Sequence, residues 1–287
     1  MFPDLSSKYS ERILEERATI AAHGSFRDKV RYDLIPRPMY AFGLLAAADV
    51  ARFCGARRIT AIEFGVAEGD GLLNLCELAA AITEETEVSI EIAGFDTGEG
   101  LPPLSDYRDH PEIWTGGDFK IADRQRLLSG LTSNARMVWG DIAQTLPTFI
   151  RSLSADAPVG FVSVDLDIYT STMSALRLFT AEAEKLLPAI VTYFDDTLGG
   201  AARIGSIFRN RWAGQLLAID EFNAANDKRK IDVMRTIKFR RPLDREQWLK
   251  QMYAIHVLDH PVRNRTNVRA PLTMAEHGSS ASLGWPL

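Results

Sequence analysis

The sequence predicts an α/β fold: one domain around a mainly parallel seven-stranded sheet, doubly wound with helices on both faces. Three observations carry this expectation. Short apolar runs rich in Val, Ile and Phe alternate with segments of helical apolar period across most of the 287 residues. These runs end in acids or glycines, at Glu63-Phe-Gly65, Asp96, Gly140-Asp141, Asp165 and Asp195-Asp196. The composition, 46% hydrophobic and 25% charged, is that of an ordinary globular chain, and no linker-like shift divides it.

Composition also narrows function. A net charge of −5 argues against nucleic acid or an anionic membrane as the main partner, because both reward clustered Lys and Arg. Cys54 and Cys76 lie inside apolar helical patterns and read as buried thiols, neither a disulfide framework nor a zinc site. The first residues carry no charged-then-apolar signal pattern and no run approaches membrane-spanning length, so a cytoplasmic protein is expected.

In chain order, residues 6–22 are charged with sparse apolar positions and predict an exposed helix. Pro36 and Pro38 mark a break, and 39–54 then repeats apolar residues at helical spacing with Gly55 as a natural C-terminal cap. A strand over 59–65 follows, and Gly69-Asp-Gly71 opens a helix that buries Leu72, Leu75, Cys76 and Ala79. The next strands are expected at 89–96 and 135–139, with a helix at 122–131 between them and another at 142–153. The fourth strand is 161–164; a long helix over 171–187 leads to the fifth at 189–194. One helix carrying Ile207, Phe208, Leu216, Leu217, Ile219 and Phe222 comes next, then strands at 233–239 and 253–258 with a short helix around Trp248 between them. The expected organisation is an N-terminal helical segment over 1–57 packed on a domain spanning 58–262, with 263–287 as a loosely ordered C-terminal arm.

The chemistry concentrates at the strand ends. In Glu63-Phe-Gly-Val-Ala-Glu-Gly-Asp-Gly71 the glycines let the backbone turn tightly and approach a ligand where a β-carbon would clash. A ligand-free glycine turn is the plain alternative. A dinucleotide pyrophosphate is disfavoured there by Glu68 and Asp70. A ligand without phosphates and with a cationic centre suits those acids better, and S-adenosylmethionine (SAM) is one. Asp96 is placed to accept from ribose hydroxyls and Asp141 to meet an adenine edge; each is equally open to being a solvated or helix-capping acid.

Asp165, Asp167, Asp195 and Asp196 tip the fourth and fifth strands. Two carboxylates about 4 Å apart repel by roughly 4 kcal/mol at an effective dielectric near 20, so three converging demand a cation or raised pKa values. All-oxygen ligation favours Mg²⁺ or Ca²⁺. Asp167 is open to pointing away from the cluster, and Asp196 to capping the next helix. An Asp-x-Asp after a strand also occurs in haloacid-dehalogenase-type phosphatases and nucleotide-sugar glycosyltransferases. The first need the motif on the first core strand, and the second leave the turn at Glu63–Gly71 without a role. His256 in the last strand reads as structural, and Trp114 with Asp118 and Phe119 as an acceptor-side lid or a packed loop.

With these residues assembled, the chain resembles class I SAM-dependent methyltransferases. Within them it is similar to the macrocin O-methyltransferase-type family, metal-dependent enzymes that methylate sugar hydroxyls of natural products. The resemblance spans about residues 58–200, through Glu63-Phe-Gly-Val-Ala-Glu-Gly69, Gly94-Phe-Asp-Thr-Gly-Glu-Gly-Leu-Pro-Pro103, Gly140-Asp141, Asp165-Leu-Asp-Ile-Tyr-Thr-Ser-Thr172 and Asp195-Asp196. It implies a Rossmann-like sheet whose last strand pair includes an antiparallel member. It implies SAM held by Glu63, Gly65, Ala67, Gly69, Asp96 and Asp141, and Mg²⁺ on Asp165, Asp195 and Asp196, with Asp165 also the candidate base. The acceptor would be a hydroxylated small molecule, sugar or natural product, and a homo-oligomer is allowed. The chain departs from the family in having Leu186-Leu-Pro-Ala189 where a Gly-Gly turn is usual, and in the region after Gly200, which has no counterpart. A SAM-binding protein without catalysis is the alternative from another class.

Overall fold

The structure, a computed structural model, describes residues 5–198 and 205–264, so the expected arm lies outside the described residues from 265 onward. Its centre is a seven-stranded sheet in the order β3-β2-β1-β4-β5-β7-β6. The strands are β1 (Arg58–Phe64), β2 (Ser89–Asp96), β3 (Ala135–Trp139), β4 (Val159–Val164), β5 (Leu186–Phe194), β6 (Arg229–Val233) and β7 (Met252–Val257). Strands β1 to β5 are parallel, and β7 runs antiparallel to both its neighbours. This is the mainly parallel, doubly wound α/β architecture the sequence predicts. Central strands explain why it was legible: every residue of β4, and all of β1 except Arg58, is buried, as strands covered on both faces must be.

The helices that position the site follow local signals. In α3 (Pro38–Cys54) proline occupies the first turn, where its missing N–H costs nothing, and Gly55 closes the helix in the left-handed region. Its face of Tyr40, Ala41, Leu44, Ala47, Ala48 and Ala51 is buried, and it packs on β4 and β5. Ahead of it lie α1 (Glu11–His23), with no buried residue, and α2 (Phe26–Arg31), which is started by a reciprocal Ser25–Asp28 capping box. Helix α4 (Asp70–Thr86) buries Leu72, Leu75, Cys76 and Ala79 as expected. Cys76 is buried but Cys54 only half so, and they form no disulfide. Helix α5 (Arg124–Gly130) lies beside α4, with Leu127 against Gly69 and Gly130 against Leu73, and α6 (Ile142–Ser152) follows β3.

Three expectations are corrected, each where a polar side chain takes over the backbone's hydrogen bonds. The helix expected over 171–187 stops as α7 (Tyr169–Leu176). Beyond it the buried Arg229 guanidinium receives the carbonyls of Phe179 and Ala181, which a continuing helix would need for itself. Pro188 then bars Leu187 from helical geometry, so β5 starts early, at Leu186. The single helix expected around 207–222 is two, α8 (Gly205–Phe208) and α9 (Gly214–Ala225). Asn210 breaks it by donating to the Phe208 carbonyl and accepting from the Trp212 N–H, which leaves Ile207 and Trp212 exposed. The strand expected at 233–239 lies earlier, at β6, because the Asn223 side chain clamps both backbone groups of Ile231. Ile237–Arg240 is a 3₁₀ turn instead.

The N-terminal segment is stapled to the C-terminal half by a buried ion pair. Arg241 donates to Asp33 at 2.5 Å, and Trp248 Nε1 donates to the other Asp33 oxygen at 3.2 Å. Removing one partner of such a pair strands the other charge. Asp33→Ala is expected to lower unfolding free energy by about 3 kcal/mol, read from urea denaturation followed by tryptophan fluorescence. A loss below about 1 kcal/mol would show a solvent-screened pair instead.

Candidate active site

The sheet builds its site where β1 and β4 lie side by side, because connections from these two strands leave in opposite directions and open a crevice at their carboxyl ends. Gly65, just past β1, has φ +82°, and a β-carbon there would lie 1.7 Å from the Asp165 carbonyl oxygen. Only glycine lets the two strand ends approach so closely. Ala67 follows at φ +45° and Gly69 caps α4 at φ +95°, so the predicted turn is sharply wound.

Glu63 is buried inside this turn. Its Oε1 accepts the Tyr40 hydroxyl at 2.6 Å, Tyr40 lies 2.8 Å from Ser163 Oγ, and Oε2 has no partner. Burial pushes the Glu63 carboxyl up to about 8, against the Tyr40 hydrogen bond. A β-carbon at Gly71 would meet Glu63 Oε1 at 1.9 Å, so that glycine is what admits the carboxylate. Asp96 is engaged with the turn itself: it accepts the N–H groups of Val66 and Ala67 at 2.9 Å and of Gly98 at 2.6 Å. Asp141 is exposed and caps α6, accepting from Ala143 N–H at 2.8 Å.

The acids of β4 and β5 converge, though not as the trio expected. Asp165, Asp167 and Asp196 bring oxygen atoms within 4.8 Å of one another. Asp167 does not point away: it lies two residues past Asp165, the spacing that keeps side chains on one face, with a left-handed backbone (φ +59°) just past β4. Its N–H donates to Asp196 Oδ2 at 2.9 Å. Asp195 instead accepts the Tyr193 hydroxyl. Burial, then the neighbouring carboxylates, raise Asp165 well above the usual range, and burial and Asp196 push Asp167 up to about 8. Asp196 is also raised by burial, with Arg209 acting against it.

Around this cluster sit residues the sequence reading passed over. Arg209 donates to Asp196 Oδ1 at 3.1 Å and to its carbonyl at 2.9 Å, with the guanidinium 5.5 Å from the centre of the Trp114 ring. Gln215 bridges the strands, accepting from Asp196 N–H and donating to the Val164 carbonyl. His110, also unremarked, is buried beside them. All three lie on irregular or late segments where no periodic signal marks them; only the Asp-His-Pro run in a loop following an acid-tipped strand could have drawn attention to His110. His256 pairs with Ala189 at the opposite end of the sheet.

No family model and no curated protein matches the chain. Among solved structures it is similar to CalS11, a calicheamicin methyltransferase, at 16% identity over 90% of this chain and 98% of that one, with a TM-score of 0.48. It is also similar to cofactor-bound Rv0187 from MTB (15%, 89% and 94%, 0.40). A third likeness is the plantazolicin methyltransferase BamL, solved with a substrate analogue and SAH (S-adenosylhomocysteine) (10%, 86% and 98%, 0.39). These likenesses are distant, and nothing that follows rests on them. Among the described residues no helix is long and apolar enough to cross a membrane.

Glu63 gives the site a testable pH signature. The folded carboxyl is pushed up to about 8 from an ordinary value of 4.5, so between these the folded chain holds a proton the unfolded chain has lost. Its contribution to stability is full below about 4.5 and is lost as pH rises through 8. Glu63→Gln is expected to flatten part of the fall in denaturation midpoint between those two pH values. An unchanged slope would show that Glu63 ionises freely in the fold.

Proposed function

We propose that the protein is a SAM-dependent O-methyltransferase acting on a hydroxyl of a small molecule, a sugar or natural product, with help from Mg²⁺. The observation that carries this is the orphaned, buried Glu63 Oε2 inside a glycine turn at the switch point of a β3-β2-β1-β4-β5-β7-β6 sheet. A buried acceptor without a donor invites a cation, and the amino group of SAM is one. Gly65, Ala67 and Gly69 shape the backbone beside it. Asp96, at the tip of β2, would offer its carboxylate to the ribose, exchanging some of the backbone N–H groups it now accepts. Asp141, at the tip of β3, stands where the adenine would lie.

SAM supplies an electrophilic methyl on a sulfonium. The chain's task is then to place the acceptor oxygen in line, exclude water and remove a proton. The acidic cluster fits a hard divalent cation: its ligand atoms are all oxygens, and burial and mutual repulsion raise its carboxyls, with Arg209 opposing this at Asp196. Asp165, Asp167 and Asp196 are placed to hold Mg²⁺ by geometry, and Asp195 by the family resemblance. Such an ion would orient the acceptor and lower the pKa of its hydroxyl. Asp165, the base expected from sequence, has its carboxyl raised well above the usual range by burial and the neighbouring carboxylates, and would be engaged as a ligand with the cation bound. The cation-holding role is the one we assign to it.

Isothermal titration with SAM, with and without Mg²⁺, tests the reading, followed by SAH release with catechol and methyl rhamnoside as acceptor probes. SAM is expected to bind without Mg²⁺, and Asp196→Asn to lower turnover at least about 100-fold while leaving SAM affinity within about twofold. Absence of SAM binding would sink the proposal. Turnover that ignores both Mg²⁺ and Asp196→Asn would remove the metal alone. Comparing Asp167→Asn with Asp195→Asn decides which is the third ligand.

A further inference from the structure

The group that takes the acceptor's proton is the remaining gap, and the loop between β2 and α5 fills it. We propose that His110, oriented by Glu112, is the acceptor-side general base. This rests on the methyl-transfer reading above.

The placement comes from four features of the chain. His110 Nδ1 lies 2.7 Å from Glu112 Oε1, so the carboxylate holds a proton on Nδ1 and leaves Nε2 with its lone pair free to accept. The ring lines a cavity of about 90 Å³ together with Asp167, Asp196, Arg209 and Gly214. That is room for the reacting end of an acceptor and not for a whole sugar. A β-carbon added at Gly214 would lie 3.3 Å from Cδ2 and 3.4 Å from Nε2 of the ring and 4.0 Å from the Asp167 carbonyl oxygen, so this edge of the imidazole lies beside Gly214, near the backbone of Asp167.

The loop is also fixed firmly enough to aim a base. His110 has a left-handed backbone (φ +55°), strain that a non-glycine residue adopts only when its surroundings enforce it. The enforcement comes from Asp109, fully buried, which accepts Thr170 N–H and Thr170 Oγ1 at 2.8 Å and Ser105 Oγ at 2.7 Å. The N–H groups of Ile113 and Trp114 donate to the His110 carbonyl at 2.9 and 3.0 Å. His110 is thereby tied to the start of α7, three residues past Asp167. Among the other described histidines, His23 ends α1, His256 lies at the opposite end of the sheet and His260 follows β7.

In the step this implies, the acceptor oxygen attacks the methyl carbon while the carbon–sulfur bond breaks, its electron pair staying on sulfur to give the thioether of SAH. The hydroxyl proton passes to His110 Nε2. The positive charge lost by the sulfonium reappears on the imidazolium, beside Glu112, Asp167 and Asp196, and is discharged by proton release to water.

The deciding experiment needs no acceptor. In full-length protein labelled with ¹⁵N-histidine, the neutral form of the His110 ring is expected to be the Nδ1-protonated tautomer, and Glu112→Gln to shift it toward a mixture. A neutral ring protonated on Nε2 overturns the proposal whether or not SAM binds, whereas SAM titration alone decides the methyl-transfer reading. With whichever of catechol or methyl rhamnoside releases SAH, His110→Gln is expected to lower kcat at least about 100-fold with SAM affinity within about twofold. Added imidazole should restore turnover to His110→Ala, a response that a purely structural role would not produce. A kcat within about threefold of the parent in His110→Gln overturns it equally.

Discussion

Concentrated negative charge at the carboxyl ends of β4 and β5 is the constraint to which the rest of the site answers. Three carboxylates with oxygens within 4.8 Å repel one another by several kcal/mol even at an effective dielectric near 20. The fold holds them together by spending backbone donors and fixed dipoles: Asp167 N–H on Asp196, Gln215 between Asp196 and Val164, and the Arg209 guanidinium on Asp196. What these do not neutralise raises the carboxyls of Asp165 and Asp167 above the usual range, with burial the larger cause. A site in that condition is prepared for a cation, and the glycine turn on the neighbouring strand, with its unpartnered Glu63 oxygen, is prepared for another.

The parallel half of the sheet could be read from sequence because its strands are buried on both faces and announce themselves as apolar runs with polar tips. Strands β2 and β3 fall where expected, at Ser89–Asp96 and Ala135–Trp139. Beyond β4 local pattern loses its authority to individual side chains. Arg229 captures carbonyls from a would-be helix, Asn210 cuts a second one, and Asn223 sets which residues form β6. None of these partners is close in sequence to what it controls except Asn210, so no window of apolar period contains the information.

The site divides the same way. Strand-tip acids are visible because they interrupt apolar runs, and Glu63, Asp96 and Asp165 all lie at the switch point. Orientation is another matter. Asp167 lies past the end of β4 in a left-handed backbone, where strand period no longer fixes a side chain's direction, yet its oxygens join those of Asp165 and Asp196. His110 and Glu112 belong to a loop whose conformation is set by Asp109 reaching Thr170, a contact spanning sixty-one residues of sequence.

That contact separates two jobs physically. The cofactor turn grows from β1 and α4, on one side of the crevice. The acceptor wall is a single excursion of chain that leaves β2, crosses the crevice, and is moored to α7 by Asp109. Sequence change in the excursion can therefore reshape what the crevice admits without disturbing the turn, provided the mooring residue and its two threonine bonds survive. The same mooring fixes the loop to the chain three residues past Asp167, so the loop and the acidic cluster share one short stretch of backbone.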